Sequence, residues 1–460
     1  MRLYSGNRMK KLRYIPIFLF LLCSIAGYGR TVQTSLPVIY LRYDELSRDV
    51  FNPATMTFVD GNETKRFDAQ IRHRGQSVSN YQKQSFAIKL VDSQGEKLDT
   101  ALMDMRSDNY WILDGMAIDK ARMRNKVSMD LWLDFSAKPY YAADEPEVRN
   151  GSEERFVEVY ANDEYVGLYC LAERIDRKQL KLKKIKDNEL RGALYKSIHW
   201  GGSFFGATTA YDNRSALWMR YEYKYPEELI DWSPLCQAFD FVHTSAHDAF
   251  VAQIASYVDI PVFMDYFLFT TLLSARDNAG KNLYLSFYNL TKEKRLLITP
   301  WDIDHSWGRQ YNSTPEAADT EVRWGVDIYT RLRNEVPGYE ETLLQRYAEL
   351  RKNAFSLDAL QARFAAYFRF FEQTGVGERE MAQWNGVDNI SLDFAEEEQY
   401  LNQWIQERLV YTDSLFRYTE SDAVPLLPAD FRPYKRLENG QVVIYHSHGA
   451  YSITGNKLHD

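Results

Sequence analysis

The sequence predicts an α+β fold, in which a β-rich half is followed by a mainly helical half and a small C-terminal β tail. Between residues 36 and 171, apolar and polar positions alternate in several segments, as is typical of half-buried strands. From about Tyr257 onward, apolar residues recur at i, i+3 and i+4, which is typical of amphipathic helices. After residue 421, prolines and then short strand-like runs predict a separate tail.

The composition is that of a globular protein, with 45% hydrophobic, 15% aromatic and 26% charged residues in a chain of 460. These values exclude extended disorder, collagen-like repeats and a multi-span membrane protein. The formal charge of −8 argues against a protein whose main partner is a nucleic acid. Cys23, Cys170 and Cys236 form no CxxC pair and no zinc-finger spacing, so neither structural zinc nor a disulfide framework is expected.

The N-terminus has the pattern of a signal peptide. A basic region at residues 8–13 precedes a short apolar run at residues 15–25, and Ser24 and Ala26 supply small residues before a cleavage site. The apolar run is shorter than the roughly 20 residues that a membrane span needs. We therefore expect residues 1–26 to be removed, and the mature protein to carry no transmembrane span.

Export follows from this signal, with the periplasm, the cell surface and the medium as equally compatible addresses. An uncleaved N-terminal anchor is an alternative. Cys23 would suggest a lipoprotein, although bulky Leu22 stands where a small residue is expected. Met9 begins a tidier signal peptide than Met1, so translation could start at either residue.

Each half of the chain has its own predicted elements. The predicted strands are residues 36–41, 67–73, 86–91, 156–160 and 165–171, with Asn162-Asp163 as the turn between the last two. The predicted helices are residues 121–135, 262–276, 339–373 and 393–418, from their apolar periodicity. In the tail, residues 420–460, a proline linker precedes strands at 441–445 and 450–454, which we expect to form a hairpin.

Two short segments late in the chain carry the candidate chemistry. The first runs from Asp277 to Asn282, between an apolar helix and a strand-like run at residues 283–285. The second is Pro300-Trp301-Asp302-Ile303-Asp304, directly after a strand-like run at residues 296–298. Both segments therefore lie at the ends of predicted elements, where functional side chains are often presented.

Phosphoryl transfer to a hydroxyl group needs the residue types that these segments contain. One carboxylate orients the hydroxyl, and an amide oxygen with a second carboxylate holds Mg²⁺. We expect Asp277 to do the first, and Asn282 with Asp302 to do the second. Hard oxygen ligands favour magnesium or manganese over zinc. The D-x₄-N spacing alone is also typical of a structural cap at a helix end.

Asp304 has two interpretations. On an extended strand its side chain would point the same way as that of Asp302 and could provide a further metal ligand. On a turn it could instead cap the backbone of Ser306 and Trp307. His305 could bind a metal, but a single histidine beside two acids is more often a supporting or solvated residue.

Four segments of the chain are similar to motifs of a known family. Residues 72–77 with 83–86 resemble an R-G-N-S-S…K-x-S-Y element, and residues 167–176 resemble G-x-Y-x-x-x-E-x-I-D. Residues 277–284 resemble a catalytic Asp followed by N-x-Y, and residues 300–304 resemble P-W-D-x-D. In this order, they resemble the spore-coat protein H (CotH) kinases, a family of atypical secreted protein kinases. The resemblance covers roughly residues 36–419.

The resemblance implies a kinase-like two-lobed fold, with a β-rich N-lobe at about residues 36–196 and a mainly helical C-lobe at about 197–419. It implies ATP and a divalent metal as cofactors, and transfer of the γ-phosphate to a Ser or Thr hydroxyl of a protein substrate. It places the catalytic function at Asp277 and the metal function at Asp302.

The sequence also departs from the family pattern. Gln76 and Val78 replace the usual Asn and second Ser of the first element, and the chain has no G-x-G-x-x-G loop. Phosphate contacts are therefore expected from Arg72, Arg74 and Lys83, since cationic side chains suit phosphate oxygens. The alternative for each is a place on a solvated basic strand face.

Two further groups have open assignments. Glu173 could pair with a phosphate-binding lysine, as a helix glutamate does in ordinary kinases, or it could be structural. Asp119 and Arg124, in a stretch that resembles the family's D-x-S-x-x-R-N, are better explained as a helix cap and an ion pair.

Three functions are compatible with the sequence. The first is an active exported kinase, favoured by the presence of Asp277, Asn282 and Asp302 together. The second is a catalytically silent member of the family that binds at the cell envelope or surface. The third is a glycan-handling protein, suggested only by 32 tyrosines, 25 phenylalanines and 10 tryptophans, which a protein core explains equally well.

Overall fold

The computed structural model describes residues 36–75, 80–199, 205–323 and 327–419, and the backbone of four short strands between residues 434 and 459. The predicted signal peptide, Cys23 and the proline linker lie outside the described residues. No helix in the described part of the chain has both the length and the apolar character needed to cross a bilayer.

The N-terminal part is a closed barrel of seven strands in the order β1-β2-β3-β4-β7-β9-β8. The barrel strands are β1 (Val38–Tyr43), β2 (Asn52–Asp60), β3 (Glu63–Arg74), β4 (Ser85–Val91), β7 (Tyr110–Asp114), β8 (Glu154–Ala161) and β9 (Glu164–Glu173). Neighbouring strands are antiparallel, except that β1 pairs with β8 in parallel and so closes the barrel. A short pair, β5 (Thr100–Ala101) and β6 (Ser107–Asp108), lies between β4 and β7 in the chain.

Alternate apolar side chains fill the inside of the barrel, as the period of two along a strand requires. They include the fully or almost fully buried side chains of Ile39, Phe58, Ile71, Ile88, Trp111, Val159 and Leu171. All five strands predicted in the first half of the chain are confirmed, with shifted ends. The sequence did not reveal β2 and β7.

A second antiparallel sheet has the order β11-β12-β10-β13-β14. Its strands are β10 (Ala193–Ser197), β11 (Leu217–Trp218), β12 (Tyr221–Tyr225), β13 (Leu283–Phe287) and β14 (Leu296–Pro300). Both predicted strand-like runs that flank the candidate motifs are therefore real strands, and they pair with each other from Leu283↔Pro300 to Phe287↔Leu296.

Nine helices are described. They are α1 (Arg124–Phe135), α2 (Ser233–Thr244), α3 (His247–Tyr257), α4 (Ile260–Leu273), α5 (Asp327–Glu335), α6 (Tyr339–Arg351), α7 (Leu357–Thr374), α8 (Val376–Trp384) and α9 (Phe394–Leu415). The α+β fold class is thus confirmed. Helix α4 ends earlier than predicted because Ser274 adopts a left-handed conformation, with φ of 52°. The long helix predicted at 339–373 is two helices, α6 and α7.

The tail contains four antiparallel strands in the order β15-β16-β17-β18. They are β15 (Tyr434–Glu438), β16 (Gln441–His446), β17 (Gly449–Ser452) and β18 (Lys457–His459). The predicted hairpin corresponds to β16 and β17, which pair through Val443↔Ser452 and neighbouring positions.

Helix α8 packs against β9 through a buried charged cluster. Glu380 is completely buried and binds Lys83 Nζ, while its Oε1 also accepts from Arg122 Nε at 2.7 Å. Its Oε2 accepts from the backbone N–H of Leu168 at 2.8 Å. This close approach needs a glycine at position 167, where φ is +103° and an added Cβ would overlap with Glu380 Oε2.

Gly167→Ala tests this contact. We expect it to lower the free energy of unfolding by about 2–4 kcal/mol, since the new methyl group meets both the Glu380 carboxylate and, at 2.9 Å, Trp384 Nε1. Gly61→Ala is the matched control, because Gly61 also has a positive φ (+55°) but nothing lies within 4 Å of its added Cβ. Gly61→Ala should therefore lower the free energy of unfolding by only about 1 kcal/mol. Equal losses in urea denaturation would contradict the packing explanation.

Glu154→Gln tests a buried carboxyl of β8. Burial raises the pKa of Glu154 to about 8, and its Oε1 accepts from Asn125 Nδ2 at 2.7 Å. The folded state therefore keeps a proton that the unfolded chain releases above its own pKa of about 4.5. Consequently this group makes the free energy of unfolding fall as the pH rises from about 4.5 to about 8.

Glutamine keeps the acceptor for Asn125 but cannot titrate. The quantity to measure is the melting temperature of Glu154→Gln minus that of the original protein. We expect this difference to be more positive at about pH 8 than at about pH 5. A difference that stays constant across this range would show that Glu154 does not titrate as described.

Candidate functional site

A cleft of about 1050 Å³ opens between the barrel and the second sheet, large enough for a nucleotide-sized ligand. The ends of β3, β4 and β7 line one side of it. The other side is formed by β10, β12 and β13 and by the loops before β13 and after β14. Both candidate segments of the sequence reach this cleft. Asp277, Asn282, Asp302 and Asp304 are all among its lining residues.

Asp277 is held at the cleft by two neighbouring side chains. It lies in a single 3₁₀ turn, Arg276–Ala279, which follows the left-handed Ser274. Its Oδ2 lies 2.8 Å from Lys281 Nζ, and its Oδ1 lies 3.4 Å from His305 Nδ1. Burial opposes ionisation of this carboxyl, but the His305 and Lys281 side chains outweigh it and lower its pKa to about 2. Asp277 is therefore a carboxylate at neutral pH, able to accept a hydrogen bond from a hydroxyl group.

Asn278 joins the two candidate segments. It is fully buried, and its Nδ2 donates to the backbone oxygens of Asn282 and Trp301, both at 2.8 Å. The backbone N–H of Trp301 also donates to Asn282 O at 3.1 Å. Sequence reasoning missed this positioning role, for which the only signal was an amide side chain directly beside the candidate Asp277.

Asn282 and Asp302 share an uncommon backbone conformation. Their φ angles are +55° and +56°, in the left-handed region that non-glycine residues seldom adopt. Asn282 Nδ2 donates to Asp302 O at 3.1 Å, which fixes one residue against the other. Such conformations persist only where the surrounding structure imposes them, and they concentrate at functional sites.

The P-W-D-x-D segment is also supported from behind. Asn125 Oδ1 accepts from the backbone N–H of Ile303 at 2.8 Å, between the two aspartates. Arg124 donates to the backbone oxygens of Ser306 and Trp307, at 3.2 and 3.3 Å. The first turn of α1 thus holds the segment in place.

The ion pair expected at the start of α1 is confirmed, but the N-cap position is Met123, and Asp119 reaches the first backbone N–H groups from four residues earlier. Asp119 Oδ2 accepts from the backbone N–H groups of Met123 and Arg124, at 2.7 and 2.6 Å. Its Oδ1 binds Arg124 Nη1 at 2.6 Å.

Of the two interpretations of Asp304, the strand is wrong, and residues 302–304 lie in an irregular loop. Residues 302–304 do not form a strand, because Asp302 is left-handed. The proposed cap of Trp307 is not formed either, since the N–H of Trp307 donates to Leu273 O at 2.9 Å. The loop nevertheless brings both Asp302 and Asp304 to the cleft.

The carboxylates of the cleft repel one another. Asp302 is exposed to the cleft. The dense protein around the cleft raises the pKa of Asp302, with attraction to Arg74 opposing this effect and repulsion from Asp114 adding to it. Burial, followed by repulsion from Asp302 and Asp114, raises the pKa of Asp304 well above its usual range. A bound cation would relieve this repulsion.

The donor set fits a hard divalent cation. Asp302, Asp304 and Asn282 offer carboxylate and amide oxygens, which Mg²⁺ and Mn²⁺ prefer. Among the described residues, no three His, Cys, Asp or Glu side chains converge as a complete metal cage. The arrangement therefore fits a site of the magnesium type, in which one or two carboxylates are completed by water and by the phosphates of a substrate.

The two arginines expected to contact phosphate both line the cleft. The guanidinium of Arg74 lies 5.1 Å from the centre of the Trp301 ring. Arg72 Nη1 donates to Arg48 O at 2.9 Å, and its guanidinium lies 5.0 Å from the Phe51 ring centre.

Lys83 has a position that does not fit the expected phosphate contact. It is 2% exposed, does not line the cleft, and binds Glu380 and, at 2.7 Å, Leu168 O. Burial lowers its pKa to about 7, against the opposing attraction of Glu380. The residue points towards α8 instead of the cleft, which the sequence could not show because α8 was not predicted.

Glu173 is paired with an arginine and a backbone N–H group instead of a lysine. Its Oε1 accepts from Arg149 Nη2 and from the backbone N–H of Arg106, both at 2.9 Å. The structural interpretation of Glu173 is therefore the one that the contacts support. The buried Lys–Glu pair of the barrel is made by Lys83 and Glu380 instead.

The cleft also contains residues that sequence reasoning missed. Asp114, at the end of β7, accepts from Ser85 Oγ at 3.0 Å. Lys196 lies on β10, with its ammonium 6.0 Å from the Tyr284 ring centre. Partial burial, followed by the nearby charge of Arg74, lowers the pKa of Lys196 to about 8. No signal in the sequence marked either residue, since β7 and β10 were not predicted as strands.

Comparison with known proteins gives two matches. The model of the family described as CotH kinase protein matches residues 71–412. The chain is also 20% identical over 342 residues to the inner spore coat protein H of Bacillus subtilis (strain 168), which covers 73% of this chain and 87% of that protein. The family match spans the barrel from the end of β3, the second sheet and nearly all the described helices. This protein belongs to the CotH kinase protein family.

Proposed function

We propose that this protein is an exported atypical protein kinase, which transfers the γ-phosphate of ATP to a Ser or Thr hydroxyl of a protein substrate. The main observation in support is that an ionised Asp277 lines the same cleft as Asn282, Asp302 and Asp304. Membership of the CotH kinase protein family supports the same class of reaction. In this proposal the barrel acts as the N-lobe, and the second sheet with the helices acts as the C-lobe.

Asp277 orients the attacking hydroxyl. A carboxylate with a pKa of about 2 is a weak base, so it accepts a hydrogen bond from the hydroxyl without removing its proton early. This suits phosphoryl transfer, in which positioning and charge stabilisation matter more than early proton removal. Lys281 and His305 keep the carboxylate in one orientation from two sides.

Asn282, Asp302 and Asp304 would hold Mg²⁺ or Mn²⁺. When bound, the cation offsets the negative charge of the phosphates. Arg72 and Arg74 line the cleft on the barrel side, where they add positive charge for the same phosphates. The hydrogen bonds of Asn278 to both motif segments keep these groups at fixed positions before a ligand arrives.

Export is the part of the proposal that depends on the N-terminus. The basic and apolar pattern of residues 1–26 is that of a signal peptide, and the similar protein from Bacillus subtilis is named as a spore coat protein. We therefore propose action outside the cytoplasm or at a cell surface.

The direct test is incubation of purified residues 27–460 with labelled ATP and either Mg²⁺ or Mn²⁺. We expect metal-dependent incorporation of label into the protein itself or into an added protein substrate. Binding of the nucleotide without any transfer would support the silent binding module instead.

Asp277→Asn and Asp302→Asn should separate two functions. Asp277→Asn should reduce transfer by about 10²-fold or more while metal-dependent nucleotide binding stays within about threefold, because it removes only the orienting carboxylate. Asp302→Asn should weaken that binding itself, measured by calorimetry. Asp248→Asn, at an exposed position on α3, is the control and should change neither quantity. Equal loss of binding in both cleft variants would contradict this division.

Asp304→Asn keeps the shape of the side chain and removes its charge. We expect the Mg²⁺ concentration for half-maximal activity to rise several-fold, which corresponds to a loss of about 1 kcal/mol of interaction with the cation. The melting temperature without metal should rise, because the repulsion from Asp302 and Asp114 is relieved. An unchanged Mg²⁺ requirement with a lowered melting temperature would identify Asp304 as structural.

A further inference from the structure

Two cationic side chains from different sheets line the cleft. Arg74 is the last residue of β3 in the barrel, and Lys196 lies on β10 of the second sheet. Both line the cleft, and both act as attractive charges on Asp302. They therefore bring two positive charges, carried by two different sheets, close to Asp302.

Both cationic groups pack against aromatic rings. The guanidinium of Arg74 lies 5.1 Å from the Trp301 ring centre, and the ammonium of Lys196 lies 6.0 Å from that of Tyr284. The two rings pack edge to face, with their centres 5.9 Å apart. Rings of this kind hold a cation in place without neutralising it.

Neither cation makes an ion pair with a carboxylate in the described part of the chain, although both attract the more distant Asp302. No ion pair within 4.0 Å joins Arg74 or Lys196 to an Asp or Glu there, whereas Lys224, on the same wall, binds Glu222 Oε1 at 2.9 Å. Two like charges fixed on neighbouring rings repel each other, and an anion placed between them removes that repulsion. A compact polyanion that contacts both cations is the chemistry that fits.

We propose that Arg74 and Lys196 form a two-cation subsite that binds the phosphate chain of a polyphosphate ligand. The ligand would be the triphosphate of ATP, so this identification rests on the proposed function. In this proposal Lys196, which sequence reasoning missed, provides the phosphate contact that was expected from Lys83. A guanidinium and an ammonium can share the oxygens of adjacent phosphate groups, the first as a fork and the second as a point charge.

The subsite can be tested without phosphate transfer. The probe is inorganic tripolyphosphate with Mg²⁺, and its binding to the full chain is measured by calorimetry. Lys196→Met removes the charge and keeps the apolar stem, and we expect it to weaken binding by about tenfold or more. Lys196→Arg should restore binding to within about threefold of the original.

Lys224→Met is the matched control, because Lys224 lines the same cleft but is already paired with Glu222. It should change the affinity by less than about twofold. If Lys196→Met proves too unstable to measure, Arg74→Met tests the same subsite from the barrel side, with the same expected loss. Any one of three results would overturn the proposal. They are an unaltered affinity in the measurable variant, equal losses of affinity in the Lys196 and Lys224 variants, and no binding of tripolyphosphate by the original protein.

The two proposals fail in different ways. Tripolyphosphate binding that depends on Lys196, with no transfer from ATP, would leave the subsite standing and overturn the kinase. Transfer from ATP combined with unchanged tripolyphosphate affinity in Lys196→Met would uphold the kinase and overturn the subsite.

Discussion

The buried guanidinium of Arg124 is the interaction on which the arrangement of the cleft depends. It is fully buried and binds Asp119 and Glu397, both at 2.6 Å, as well as the backbone oxygens of Ser306 and Trp307. A charged group is stable in the protein interior only where its hydrogen-bond donors are paired. Removing one partner of a buried ion pair typically lowers the free energy of unfolding by about 3–5 kcal/mol. Helix α1, the end of the P-W-D-x-D segment and helix α9 are therefore fixed relative to one another, by groups that lie behind the cleft.

The fold could be predicted where hydrophobic periodicity was strong. Phe86, Ile88 and Leu90 recur at every second position, and β4 lies there. Strand β2 was missed because only Met56 and Phe58 of its nine residues are buried, which leaves a weak apolar signal. Helix α8 was missed for a different reason, since one of its two fully buried side chains is Glu380, a charge that no apolar pattern can reveal.

The candidate site divides in a similar way. Asp277, Asn282, Asp302 and Asp304 could be found because each motif is a short local segment, whose position at the end of a strand or helix is visible in the sequence. Whether a residue such as Lys83 reaches the cleft depends instead on the direction of its side chain and on which element packs against it. Those are properties of the tertiary structure, and one chain read alone does not contain them.

The parallel pairing of β1 with β8 has a consequence for folding kinetics. The pairing joins Val38 to Glu158 and Leu41 to Ala161, across most of the barrel sequence. Contacts so far apart along the chain form late and slowly, because the intervening loop must lose its freedom first. A chain that emerges from a membrane pore with its N-terminus first would thus leave one edge of β1 unpaired until β8 has crossed, while the other edge pairs with β2. If the protein is exported as proposed, barrel closure would be coupled to the rate of translocation, and the free edge of β1 would be open meanwhile to other chains or to a holding chaperone.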